Sequence, residues 1–169
     1  MKKNIHGLLL QIIGIICTLL FLLSCTKDKN DSNTRTYTIY SPVYKSKTGV
    51  LASINGVSTT AIEHAGKLYI KDNFIYLNEV NKGIHIIDNS NPAHPVQIAF
   101  LSIPGNLDIA VKGNILYADM YNDLLALDIT DPHHVKITHT INNFLTGRTY
   151  VNGYVANSDQ QVAVEWKEK

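Results

Sequence analysis

The hydrophobic pattern changes character twice along the chain. An apolar run from Leu8 to Leu23 follows Lys2 and Lys3, and Ser24 and Cys25 close it. Residues 26–36 then contain no hydrophobic side chain. Such a segment cannot offset its ordering entropy by burial and reads as a solvated tether. From Tyr37 onward, short runs of β-branched, aliphatic and aromatic residues alternate with Gly, Asn, Asp and Pro. That is the pattern of many short strands. Tyr37-Thr38-Ile39-Tyr40 is the first predicted strand, and Ser41-Pro42 ends or edges it, because proline lacks the ladder donor. Ser53 to Ala65 has a rough helical spacing at Ile54, Val57, Ala61 and Ile62. Gly56 and the β-branched Val57, Thr59 and Thr60 argue against a long helix there, so the stretch is expected to be loop with at most one helical turn.

Beyond that point the chain repeats itself. Ile70-Lys71-Asp72-Asn73-Phe74-Ile75-Tyr76 matches Val111-Lys112-Gly113-Asn114-Ile115-Leu116-Tyr117 at an offset of 41 residues. Ile84 to Pro92 matches Leu124 to Pro132 at an offset of 40. Lys71/Lys112, Asn73/Asn114, Tyr76/Tyr117, Asn81/Asn122, Asp88/Asp128 and Pro92/Pro132 coincide, with one single-residue gap between them. A period of about 40 with several short strands is that of a propeller blade. Within each copy, Lys-(Asp/Gly)-Asn predicts a tight turn with a residue at positive φ. Asn81-Lys82-Gly83 predicts the next turn. Ile84 to Ile87 and Leu124 to Leu127 are continuous apolar runs, expected to be buried on both faces. Asp88 and Asp128 then stand where a carboxylate can accept backbone N–H groups one turn ahead. Val96 to Ser102 and Val135 to Thr140 complete the copies as fourth strands.

Residues 86–96 and 127–135 resemble the LVIVD repeat of bacterial envelope β-propellers. That repeat has a hydrophobic strand followed by Asp-Val-Ser-(Asn/Asp)-Pro-x-x-Pro-Val; here Val135 stands where the second proline would fall. The stretch from Tyr37 to Asp131 also resembles the amino-terminal part of LVIVD lipoproteins of the Bacteroidetes type, with Ile39-Tyr40-Ser41-Pro42-Val43-Tyr44 as their opening strand. The resemblance implies an all-β fold of propeller-like blades: 66–105 as the first blade, 106–145 as the second, and 146–169 as part of a third, preceded by an N-terminal strand and loop over 37–65. Closed propellers have four or more blades. Two and a part cannot close, so the chain is expected to be a truncated reading of a longer protein, or to have its open edge covered by another chain.

The first 25 residues have the layout of a secretory signal, and Leu22-Leu23-Ser24-Cys25 resembles the lipobox of bacterial lipoproteins. The resemblance implies a signal peptide over 1–24, a diacylglycerol thioether on Cys25, and acylation of its new amine. Residues 25–36 become a lipidated tether. Two or more acyl chains suffice for stable anchoring, at about 0.8 kcal/mol per buried methylene. The expected location is the cell envelope, at the outer membrane rather than the inner.

Charge and cysteine count narrow the functions. The signal takes Lys2 and Lys3 out of 15 basic residues and none of the 14 acidic ones, turning a formal charge of +1 into −1. That leaves no electrostatic footprint for nucleic acid. Of the two cysteines, Cys17 is a filler within the apolar run, so Cys25 is the only one after processing. An internal disulfide, a thiolate cluster and a cysteine nucleophile are thereby excluded.

Candidate chemistry is sparse. His64, His85, His94, His133, His134 and His139 show no helical ligand pair, although His94, His133 and His134 share the turn of successive copies. Asp88-Asn89-Ser90-Asn91-Pro92 lacks the glycine and bidentate Glu of a calcium loop. No nucleophile elbow or phosphate cradle occurs. Asp119 is expected either to line a central cavity or to guard a strand edge. The many tyrosines suit a protein or glycan contact surface as well as ordinary strands. No catalytic residue, metal or cofactor is expected. The chain reads as a non-catalytic binding or scaffold module of the envelope, with an envelope protein or glycan as its partner. The alternatives are a periplasmic propeller hydrolase or oxidoreductase, and a truncated product with no function of its own.

Overall fold

A computed structural model describes residues 38–56, 58–145 and 154–169. The signal, Cys25, the tether and residues 146–153 lie outside them. Among the described residues no helix is long and apolar enough to cross a membrane.

Among the described residues, ten strands form three antiparallel sheets, beside one helix. Blade 1 contains β2 (Ala65–Lys71), β3 (Phe74–Glu79), β4 (Gly83–Asp88) and β5 (Val96–Ser102) in simple meander order. Blade 2 repeats it with β6 (Ile109–Lys112), β7 (Ile115–Met120), β8 (Asp123–Asp128) and β9 (Lys136–Ile141). These are incomplete propeller-like blades, the fold class read from the repeat.

The turns form for the reasons legible in the sequence. Lys71 pairs with Phe74 across two residues, and Asp72 takes φ 51°. Lys112 pairs with Ile115, and Gly113 takes φ 60°. The single-residue gap between the copies falls in the second hairpin. Glu79 pairs with Gly83 across three residues, whereas Met120 pairs with Asp123 across two. The carbonyls of Asn81 and Asn122 serve the same purpose in both, accepting from the N–H groups of Gly105 and Leu145 at 3.0 and 2.9 Å. Each blade also has a register shift between β-strands three and four, after Ile86 and after Ala126.

The third sheet joins the two ends of the folded unit. β1 (Tyr40–Ser46) pairs antiparallel with β10 (Gln161–Glu168). The strand begins at Tyr40 and runs through Pro42, so of the two readings of Ser41-Pro42 it is the edge that holds: a two-stranded ribbon leaves one side of β1 without a ladder to break. Residues 161–168, where a third copy was expected to open, do not leave a free edge on their β1 side. The helix α1 (Lys47–Ser53) lies upstream of the stretch expected to hold a helical turn. Ser46 caps it by accepting from the Gly49 N–H at 3.2 Å, and Val50 and Ile54, four apart, are buried together.

One apolar core runs through the unit. Ile84, Ile86 and Leu101 of blade 1, Leu116, Leu125 and Leu127 of blade 2, Val50 and Ile54, and Val162 of β10 belong to it. Tyr121 ties β10 in place: its hydroxyl donates to the Ala163 carbonyl at 2.9 Å and accepts from Trp166 Nε1 at 3.3 Å. Burial pushes the Tyr121 phenol above its usual range. Lys47 and Asp123, both buried, form an ion pair at 2.6 Å, and Lys47 Nζ donates to Asn142 Oδ1 at 2.9 Å.

Candidate functional site

The turn ending each apolar strand is built identically in the two blades. Asp88 Oδ1 accepts from the N–H and hydroxyl of Ser90 at 2.8 and 2.6 Å. Asp128 Oδ1 accepts from the N–H and hydroxyl of Thr130 at the same distances. Those donors, the hydroxyls first, hold both carboxyls below the usual carboxylate range. One turn on, Asn91 Oδ1 takes the Ala93 N–H and Asp131 Oδ1 takes the His133 N–H. The carboxylate of the Asp88–Pro92 turn thus serves its own backbone, as does that of Asp128.

The turn histidines do not converge as their positions allowed. His134 Nδ1 sits 2.7 Å from Asp131 Oδ2, a contact within one turn. His133 instead reaches the neighbouring blade, where its ring meets Phe74 edge-on at 6.4 Å. That contact sets the two blades side by side at this end.

At the opposite end of the strands lies a cluster that sequence reasoning missed. Glu79 ends β3 fully buried. Its carboxylate accepts from the N–H groups of His64 at 2.5 Å and Glu63 at 3.1 Å. Its Oε2 lies 3.1 Å from Nε2 of His85, also fully buried. Gln97 Nε2 lies 2.8 Å from His85 Nδ1, and Phe100 packs on the ring at 4.8 Å. With the Gln97 amide donating, His85 carries its proton on Nε2 and donates to Glu79. Burial works against ionising Glu79, but the His64 N–H, the His85 ring and the Glu63 N–H outweigh it, and its carboxyl lies below the usual range. Glu63, His64 and Glu79 bring one ligand atom each within 4.8 Å of one another. The donor set suits a strap better than a metal: Glu79 is engaged by two backbone N–H groups, and Glu63 is paired with Lys82 Nζ. The cluster pins residues 63–64 onto blade 1. Nothing in the sequence around Glu79 marks it; Lys82 and Gly83 identify only the turn.

A second buried polar chain links the blades. Asn78 Nδ2 donates to Asn106 Oδ1 at 2.6 Å, and Asn106 Nδ2 donates to Asp119 Oδ1 at 2.8 Å. Asp119 Oδ1 also accepts the N–H groups of Leu107 and Asp108 at 2.8 and 3.0 Å. Asp119 is therefore a buried organiser of the interblade linker, and it borders a cavity of about 220 Å³ with Tyr117, Leu124 and Leu145. Of the two expected surroundings, the cavity is present beside it, and its Oδ1 is held by the Asn106 amide and two backbone N–H groups. Asp108 lies exposed and pairs with Lys67 at 2.5 Å. Cys25 lies outside the described residues.

Two successive four-stranded meanders with matched turns define the class: a module of propeller-like blades. The LVIVD repeat model matches residues 63–99 and 106–142, one match per blade, so the chain carries two LVIVD repeats. No curated protein and no solved structure matches the chain.

Proposed function

We propose that the chain is a lipid-anchored binding or scaffold module of the bacterial cell envelope, held at the outer membrane through acyl chains on Cys25. The observation that carries this reading is the order of the sequence: an apolar signal ending in Leu22-Leu23-Ser24-Cys25, a tether without hydrophobic residues, then blade repeats. The blades support it further. The carboxylates that open their turns, Asp88, Asp128 and Asp131, hold their own backbone. Glu79 and His85, the one close acid–imidazole pair among the fully buried described residues, are shut away from solvent. What remains for a partner is the sheet surface and the loops, and the partner class is an envelope protein or glycan. Affinity capture from envelope extracts tests the binding role: an envelope protein or glycan retained by the wild-type chain supports it, and recovery of nothing above a control bait would refute it.

A further inference from the structure

The ribbon of β1 and β10 carries an aromatic strip on one side. Tyr40, Pro42 and Tyr44 alternate onto that side of β1, and Pro42 pairs with Trp166 of β10. Tyr40 and Trp166 are diagonal neighbours across the two strands. The Tyr121 hydroxyl accepts from Trp166 Nε1 behind the strip. The Tyr44 hydroxyl donates to the Val155 carbonyl at 2.7 Å, which sets Val155 beside it. The strip is open to solvent: Tyr40 is 40%, Tyr44 38% and Val155 45% exposed, with Pro42 and Trp166 half-buried between them. Ile39, at the root of β1, is 52% exposed. The other side of the ribbon turns inward: Val43 borders a cavity with Val50 and Pro104, and Val162 is fully buried in the core. Lys45 and Lys167 alternate to that other side, which leaves the strip aromatic.

The place of the strip along the chain selects its partner. Tyr40 is the first residue of the ribbon, and residues 26–39 separate it from Cys25. At roughly 3.3–3.6 Å each, they span at most about 50 Å. With acyl chains on Cys25 in a bilayer, the strip stays within that distance of the lipid. Contact with the bilayer is then intramolecular, at an effective concentration on the order of millimolar, and a weak intrinsic affinity suffices. Tyrosine and tryptophan are the side chains that settle at a bilayer boundary, with one end apolar and the other wet. Leu68, Ile70 and Ile141 are exposed to a similar degree, but they are aliphatic and lie on blade strands further along the chain from Cys25.

We infer that the aromatic strip of the ribbon is a second membrane contact, laid against the lipid surface in which Cys25 is anchored, with Tyr40 and Tyr44 at the headgroup boundary. The inference rests on the lipid anchor proposed above and adds the face that the folded unit turns to the bilayer. Stable anchoring takes two signals, and the strip acts beside the acyl chains. Since the lysines of the ribbon fall on its other side, the contact works on zwitterionic lipid and is indifferent to salt.

Trp166, the single tryptophan, sits in the strip and reports the contact. The full lipidated chain is reconstituted into phosphatidylcholine vesicles with or without a nitroxide at the top of one acyl chain, and flotation measures the anchor separately. Wild type is expected to float and to lose Trp166 emission as nitroxide lipid is added, equally at low and high salt. Ile39→Asp and Tyr40→Asp, both at exposed positions, are expected to float as wild type does and to keep their emission. Tyr40→Phe, and Ile70→Asp on blade 1, are expected to be quenched like wild type. Wild-type emission from each variant in nitroxide-free vesicles shows that it is folded. A chain that does not float overturns the anchor and the inference together. A chain that floats with its emission untouched by nitroxide overturns the inference alone. So does a quench that survives both Ile39→Asp and Tyr40→Asp. So too does an emission change that follows the number of chains per vesicle, which marks a second copy, or one that needs added glycan.

Discussion

Glu79→Gln is the sharpest probe of how the first blade is held. The substitution keeps the size and removes the charge. In the wild type, three donors meet the buried carboxylate: the N–H groups of Glu63 and His64, and His85 Nε2. A glutamine offers one oxygen and turns an NH2 group toward the remaining donor. Hydrogen bonds to a charged group contribute about 1.5–3 kcal/mol each, and a buried donor left without a partner costs about 1–3 kcal/mol. Losing one such bond and weakening the others places the expected destabilisation at about 2–4 kcal/mol. With a urea slope of about 2 kcal/mol/M, the middle of the usual range, the midpoint should fall by roughly 1–2 M. The fluorescence of Trp166, the single tryptophan, reports it. The pH dependence has a fixed sign. The Glu79 carboxyl titrates below its ordinary value of 4.5 in the folded chain, so its contribution is present above that value and is lost as pH falls through the folded one. The gap between wild type and variant should therefore close in acid. His85→Leu combined with Glu79→Gln should cost less than the two single changes added together, because they share one network. A loss below about 1 kcal/mol at neutral pH, or a gap that widens in acid, would refute the assignment of Glu79 as the strap's anchor.

Four further outcomes follow from the same geometry. Lys47→Met leaves Asp123 buried without its cation and should cost about 3–5 kcal/mol in urea unfolding, whereas Lys47→Met with Asp123→Leu should recover most of the loss. Leu127→Ala, at a fully buried site shared by both blades, should cost about 2–5 kcal/mol; a change under 1 kcal/mol would mean that the blades do not share a core. Asp88→Ala and Asp128→Ala should weaken stability alike, and both effects should fade as pH drops, since both carboxyls titrate below their usual range; unequal behaviour would contradict the matched turns. Cys25→Ser should abolish incorporation of a fatty-acid probe in cells, and equal labelling of wild type and variant would end the lipoprotein reading.

The features legible in the sequence are those made within one copy of the repeat. Asp72 and Gly113 open their hairpins because local sterics alone select residues that accept positive φ. Asp88 and Asp128 reach a donor two residues away. The meander follows from the same short range, as each strand pairs with the next. Features made across long separations left no local trace. Tyr40 pairs with Glu168, and Glu79 captures backbone of residues 63 and 64. The helix over Lys47–Ser53 was hidden for a different reason: Gly49 and Ser53 are poor helix formers, and burial of Val50 and Ile54 against the blades outweighs their propensity.

The coverage of the blade faces shows the limit of reading a repeat from its own residues. Tyr76 and Tyr117 are the same residue at the same position, yet one is sealed and the other half-open. Burial pushes the Tyr76 phenol up to about 12, while its twin borders the cavity beside Leu124. No property of the tyrosine distinguishes them. What differs is what lies against each of them, which is a property of the surroundings. A repeat unit fixes the shape and chemistry of its two sides, and its neighbours decide which side meets water.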